Sequence, residues 1–209
     1  PLIPEEGSVG ASGDLTPLSY VAATLSGERE VLFNGERRLA ADVHRELGWA
    51  PLVLRPKEAL ALMNGTAVMT GLACLAYARA DYLLKLATRI TALNVVALQG
   101  NPEHFDERLF AAKPHPGQMQ VAAWIRQDLA IDAPTAPLHR LQDRYSLRCA
   151  PHVLGVLADS LNWLRSFIEI ELNSANDNPI IDAEEERVLH GGHFYGGHIA
   201  CAMDSLQTL

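Results

Sequence analysis

Ala67-Val-Met-Thr-Gly-Leu-Ala-Cys-Leu-Ala-Tyr-Ala-Arg-Ala-Asp-Tyr-Leu-Leu-Lys-Leu-Ala-Thr-Arg-Ile-Thr-Ala-Leu-Asn-Val-Val-Ala-Leu98 places Leu72, Leu75, Ala76, Leu83, Leu86, Ile90, Leu93 and Val96 at mixed spacings of three and four. That period predicts one helix from Ala67 to about Leu98. A helix so long exceeds the usual globular length and predicts the spine of a bundle. The uncharged run from Ala59 to Ala78 could cross a bilayer on length alone. Asn64, Gly65, Thr66, Thr70 and Gly71 interrupt it, however, and Arg79, Asp81, Lys85 and Arg89 follow. It therefore reads as a buried core helix and not as a membrane span.

Working outward, residues 1–14 are rich in Pro, Gly, Ser and Ala and read as a loop ending at Asp14, a good N-cap for a helix from Leu15 to Leu25. Asn34-Gly35 between two short runs predicts a hairpin over Arg29–Leu39. A short helix is expected over Glu58–Met63, and an Asn-Gly-Thr break separates it from the spine. Downstream, Gln118–Leu129 and about Pro151–Leu172 read as helices, with Pro102, Pro114, Pro116, Pro134 and Pro137 as punctuation. Asp177-Asn-Pro179 closes the last of these. Ile180-Ile181 and Arg187–Leu189 suggest a second hairpin, and a final helix starts near Gly197.

The 209 residues are 48% hydrophobic and 20% charged, enough for one sizeable core. A net charge of -8 with scattered Lys and Arg argues against a nucleic-acid partner and leaves small-molecule chemistry open. Cys74, Cys149 and Cys201 lie far apart without CxxC spacing, which reads as a reduced, cytoplasmic chain. The opening Pro-Leu-Ile-Pro-Glu-Glu has neither Met nor a basic leader and reads as an internal cut with no signal peptide.

Gly7-Ser-Val-Gly-Ala-Ser-Gly-Asp-Leu-Thr-Pro-Leu-Ser19 sets Ser12 between two small residues just ahead of a helix N-terminus. Alone, Ala11-Ser12-Gly13 fits a flexible loop as well as a reactive one. Four further stretches follow in order: Ala61-Leu-Met-Asn-Gly-Thr66, Gln142-Asp-Arg-Tyr-Ser-Leu-Arg-Cys149, Glu171-Leu-Asn-Ser-Ala-Asn-Asp-Asn-Pro179 and His190-Gly-Gly-His-Phe194. Together the five resemble the aromatic amino acid ammonia-lyases and 2,3-aminomutases, across the whole chain but matching only the middle of the family's polypeptide.

The resemblance implies a mainly α fold, a long-helix bundle of the ammonia-lyase (fumarase/aspartase-like) type with two small β-hairpins. Residues 1–56 would hold the cofactor-forming loop, a helix and a hairpin, and residues 57–209 the start of the central bundle. It also implies a cofactor, 4-methylideneimidazole-5-one, formed from Ala11-Ser12-Gly13. The nitrogen matching Gly13 attacks the carbonyl matching Ala11, two waters leave, and Ser12 becomes the methylidene. Glycine suits that closure because its nitrogen is unhindered and its φ is free. A neighbouring helix N-terminus would stabilise negative charge on the ring, and Asp14 would assist cyclisation.

By the same resemblance Tyr145 belongs to the active site and Arg148 anchors the carboxylate of an aromatic amino acid. A guanidinium suits that role because it forms a planar bidentate pair, although most arginines serve in ordinary ion pairs. Tyr145 precedes Arg148 by three residues, so a helix or tight turn would direct both to one site. Asn64 resembles a contact to the cofactor or the substrate carboxylate, against a plain turn residue. Asn173 resembles a polar contact to the carboxylate, Phe194 a wall beside the ring, and Gln142 a support of the pocket. His190, His193 and His198 could suggest zinc, but no carboxylate or Cys stands at ligand spacing, so no metal is expected. The remaining histidines, His152 among them, read as surface or cap residues.

The family's base, a Tyr in a Thr-Gly-Tyr-Gly type loop, has no counterpart here, so the chain is expected to be part of a longer homotetrameric enzyme and inactive alone. The expected reaction is loss of ammonia from phenylalanine, tyrosine or histidine. Two alternatives stay open: a 2,3-aminomutase that makes a β-amino acid, and an inert helical scaffold with an uncyclised Ala-Ser-Gly.

Overall fold

A computed structural model describes residues 1–7, 12–132 and 141–209, without the side chains of 131 and 132. Ala11, Pro134 and Pro137 lie outside the described residues. The fold is mainly α with two small antiparallel hairpins. In chain order, helix α1 (Leu15–Leu25) leads to strands β1 (Glu30–Phe33) and β2 (Glu36–Leu39), then α2 (Ala40–Leu47), α3 (Glu58–Met63) and the 31-residue α4 (Ala67–Ala97). A 3-10 turn (Pro102–Phe105), α5 (Glu107–Ala111), α6 (Pro116–Asp132), α7 (Tyr145–Arg148) and α8 (Ala150–Leu172) follow. Strands β3 (Ile180–Asp182) and β4 (Arg187–Leu189) and helix α9 (Gly197–Thr208) complete the order.

The first hairpin follows from its turn. Asn34 and Gly35 both take left-handed φ, 52° and 85°, the twist a two-residue loop requires. Val31 pairs with Arg38 and Phe33 with Glu36, and Val31 and Phe33 pack on Ala40 and Val43 of α2. Helix α2 is absent from the sequence reading: at eight residues it is held by this small cluster more than by its own propensity.

The chain divides into two compact units, Pro1–Ala73 with Ile168–Cys201, and Cys74–Phe167 with Ala202–Leu209. The second unit holds the larger core. Leu84, Ala92 and Val95 of α4 meet Val121, Ile125 and Leu129 of α6 and Leu161 and Leu164 of α8, with Phe105, Leu147 and Ala202 closing the cluster. Burying side chains of this size stabilises by roughly 1.5–3 kcal/mol each.

The spine differs from expectation in one respect. Of the eight residues that set its period, Leu72, Leu75, Leu83, Leu86, Ile90 and Leu93 are exposed and Ala76 and Val96 half-buried, while Ala73, Leu84, Thr88, Ala92 and Val95 are buried. The helix is apolar on more than one face, so periodicity alone could not say which face this chain would cover. The stretch Ala59–Ala78 is accordingly not a buried core helix, since Leu60, Leu72 and Leu75 stand open. Among the described residues no helix is long and apolar enough to cross a membrane.

Candidate active site

In the first unit the chemistry-bearing loop is pinned by backbone. Gly13 and Gly65 form an isolated parallel bridge: the Asp14 N–H donates to the Gly65 carbonyl at 2.7 Å, and the Gly65 N–H donates to the Ser12 carbonyl at 3.4 Å. Gly13 sits at φ +81, and a Cβ there would collide with the Gly65 carbonyl oxygen. Gly65, at φ +112, has its own back against the chain, where a Cβ would lie 2.5 Å from the Asn176 carbonyl oxygen. Only glycine fits at either place. Ser12 itself is left-handed at φ 57, a conformation a serine holds only where its surroundings impose it.

Asp14 corrects the expectation of a local cap. Its side chain makes no bond within α1. Instead Oδ2 accepts the Met69 N–H at 2.7 Å, across 55 positions, and caps the first turn of α4. That turn has unpaired N–H groups and positive dipole, so a carboxylate there is favourable. Asp14 is fully buried, and Oδ1 has no partner among the described residues. Burial pushes its carboxyl above the ordinary carboxylate range, against the opposing pull of the Met69 and Val68 amides.

A second network holds Asn64. Its Nδ2 donates to Asp177 Oδ1 at 3.0 Å and to the Asn178 carbonyl at 3.1 Å, while Lys57 Nζ donates to Asp177 Oδ2 at 2.5 Å. Burial opposes ionisation of Asp177. The bonds from Lys57, Asn64 and the Asn178 N–H outweigh it, and its carboxyl stays below the ordinary range. Asn178 Oδ1 accepts the Gly191 N–H at 2.8 Å, tying the His190–Phe194 turn to the same hub. Beside it Thr66 donates to Glu171 Oε1 at 2.6 Å and accepts from Asn176 Nδ2 at 3.0 Å.

Lys57, Gly65, Thr66, Glu171, Asn176, Asp177 and Asn178 were not singled out in the sequence as site residues. Six of the seven lie within quoted motifs, which was the available signal; Lys57 lies outside them, and its partner is 120 positions away. Asn173 is exposed, and its Nδ2 donates to the Glu169 carbonyl of its own helix at 2.7 Å. Phe194 is half-buried in the turn before α9. That turn is seated on α4: a Cβ at Gly196 would strike Met69 Sδ and come within 3.3 Å of Thr66 Cγ2. Among the described residues no three His, Cys, Asp or Glu side chains gather as a metal site.

The second unit holds Gln142, Tyr145 and Arg148. Helix α7 turns the last two onto each other, with the Arg148 guanidinium 4.7 Å from the centre of the Tyr145 ring. Arg148 Nε donates to the Asp143 carbonyl at 3.0 Å, so one bond and one stacked ring orient the guanidinium plane. Asp143 is held in turn: Oδ2 accepts the Asn101 N–H at 2.7 Å, and its own N–H donates to His104 Nε2 at 3.0 Å. Tyr145 is 73% exposed and Gln142 is exposed. A cavity of about 550 Å³ lined by Tyr82, Lys85, Arg89, Trp124 and Asp128, among others, includes none of these three residues. His152, expected at the surface, lies against Phe110 with ring centres 5.1 Å apart, and burial followed by the Lys113 charge lowers its pKa.

The whole chain, residues 1–209, matches the family model described as aromatic amino acid lyase. It is 43% identical over 229 residues to a tyrosine 2,3-aminomutase of Chondromyces crocatus, covering 99% of this chain and 43% of that protein. It is 43% identical over 210 residues to a histidine ammonia-lyase of Bacillus subtilis, covering 99% of this chain and 41% of that one. The solved phenylalanine aminomutase of Pantoea agglomerans superposes with a TM-score of 0.91 at 36% identity, over 100% of this chain and 44% of that chain. The chain thus spans under half the length of these relatives.

Proposed function

The chain belongs to the aromatic amino acid lyase family, and from that premise we propose that the complete protein removes ammonia non-oxidatively from an aromatic L-amino acid, leaving the arylacrylate. The observation that carries this reading is the pinned loop: Ser12 is left-handed and is followed by Gly13, locked on Gly65, and by a buried Asp14.

Gly13 and Asp14 fit a 4-methylideneimidazole-5-one group made from Ala11-Ser12-Gly13 on two counts. Gly13 is held where no side chain can enter, so its nitrogen stays unhindered, and Asp14 Oδ1, without a partner among the described residues, offers a buried acceptor beside it for a proton released during ring closure. Once formed, the group supplies an electrophilic methylidene that no ordinary side chain provides. The Gly65 N–H already donates to the Ser12 carbonyl, so the same bond would steady negative charge on that oxygen.

Arg148 takes the substrate carboxylate, its guanidinium oriented by Asp143 and Tyr145. Tyr145 supports substrate or cofactor by hydrogen bonding, Gln142 supports the same pocket, Asn173 contributes a polar contact and Phe194 a wall. We assign residues 1–56 to the cofactor-forming portion and 57–209 to the start of a central bundle completed by further copies of the chain in a homotetramer.

Equal identity to an aminomutase and to a lyase supports a second reading, in which the ammonia returns to the β-carbon. One experiment addresses both. The intact mass of the complete protein is expected to be two waters below the sequence mass, and incubation with phenylalanine, tyrosine and histidine to yield an arylacrylate. A β-amino acid as the main product would replace the lyase reading by the mutase one, and an unshifted mass would overturn both.

A further inference from the structure

The Asn64 amide has a fixed sense. Both N–H bonds of Nδ2 are spent, on Asp177 Oδ1 and on the Asn178 carbonyl. Reversing the amide would set its oxygen against those two acceptors, one of them on a carboxylate that Lys57 keeps ionised. The remaining polar atom, Oδ1, is buried and meets no donor among the described residues, on a side chain that is only 9% exposed. A buried amide oxygen in that state calls for an N–H or O–H donor. A carboxylate brought to it would find acceptor facing acceptor.

We propose that Lys57 and Asp177 are positioning residues that lock Asn64 as a hydrogen-bond acceptor, so that Asn64 takes the α-amino group of the substrate and not its carboxylate. The inference rests on the reading above together with the expectation that Asn64 lines the site, and it departs from the carboxylate contact that the family resemblance offers for this residue. The arrangement also accounts for Lys57, a non-glycine residue held at φ 77 at the head of α3, whose ammonium spans 120 positions to reach Asp177. With that ion pair gone, the Asp177 carboxylate keeps the Asn178 N–H at 2.7 Å but loses the cation that fixes its far oxygen and its charge against Asn64.

Two probes separate the roles in the complete enzyme: the aromatic amino acid it turns over best, followed by its KM, and the 3-arylpropanoate with the same ring and carboxylate but no amine, followed by its inhibition constant. Lys57→Met is expected to raise the KM about tenfold, the order expected for loss of one hydrogen bond to a charged group, and to leave the arylpropanoate constant unchanged. Lys57→Arg is expected to restore most of the loss, and the near-isosteric Asp177→Asn to give the same split. An intact mass two waters low in each variant shows that the loop has still folded and matured. Equal weakening of both probes, or of neither, overturns the proposal. Absence of turnover and of the mass shift in the unsubstituted enzyme is a different failure, since it removes the functional reading beneath the proposal.

Discussion

Asp14 sits beside the tripeptide, and the helix it caps is not the one that follows it but one that begins 53 positions later. Its pH behaviour follows from burial. The folded pKa lies above the ordinary carboxylate range, so its contribution to stability is fully present below that range and is lost as pH rises through the folded pKa. Asp14→Asn keeps an oxygen for the Met69 N–H and removes the ionisation. Urea midpoints should therefore show the variant gaining on the native protein as pH rises, with the gap closing toward acid. An invariant gap would show that Asp14 is not titrating where burial places it. Asp177 has the opposite sign, its stabilisation present at neutral pH and lost on acidification. The tripeptide and Asn64 were legible from their motifs. The partner of each was not, because Gly65, Met69 and Asp177 reach them only by folding.

At the scale of elements, the crossing of α6 and α8 is built on glycine. A Cβ at Gly117 would strike the Gly155 carbonyl oxygen, and one at Gly155 would lie 2.6 Å from the Gln118 nitrogen. The Gly117 N–H, unpaired within its own first turn, donates to Asp159 Oδ1 at 2.7 Å. Gly155→Ala would gain about 1 kcal/mol of helix propensity, yet overpacking a contact this close costs about 1–3 kcal/mol. A net loss in chemical denaturation is the expected outcome, and a net gain would show that the helices can separate at no cost. Helices α4 and α8 were readable from period and the first hairpin from its Asn-Gly turn; the second hairpin was read from its short apolar runs, and α1 was anticipated although Asp14, the cap that pointed to it, makes no bond there. Helices α2 and α5 were not readable, being only eight and five residues long and held by packing, α2 on the adjacent hairpin and α5 beside the 3-10 turn, α6 and His152.

For the whole molecule, the open apolar row on α4 is the largest departure from a self-sufficient chain. Leu75 is 59% exposed, Leu83 58% and Leu93 68%, on the same helix that supplies Leu84 and Val95 to the core. In the homotetramer proposed above, other copies cover this row. Leu83→Lys with Leu93→Lys should then leave helicity intact and lower the mass of the particle in light scattering, while an unchanged assembly would place the contact elsewhere. The amino-acid sequence by itself determined the helical class, the turns, the loop that carries Ser12 and the family, because these depend on short-range period, backbone chemistry and motif order. Which face of α4 is buried, which helix Asp14 caps and which way the Asn64 amide points were decided only by the tertiary structure. Each is a choice among chemically equivalent partners, and proximity after folding selects one.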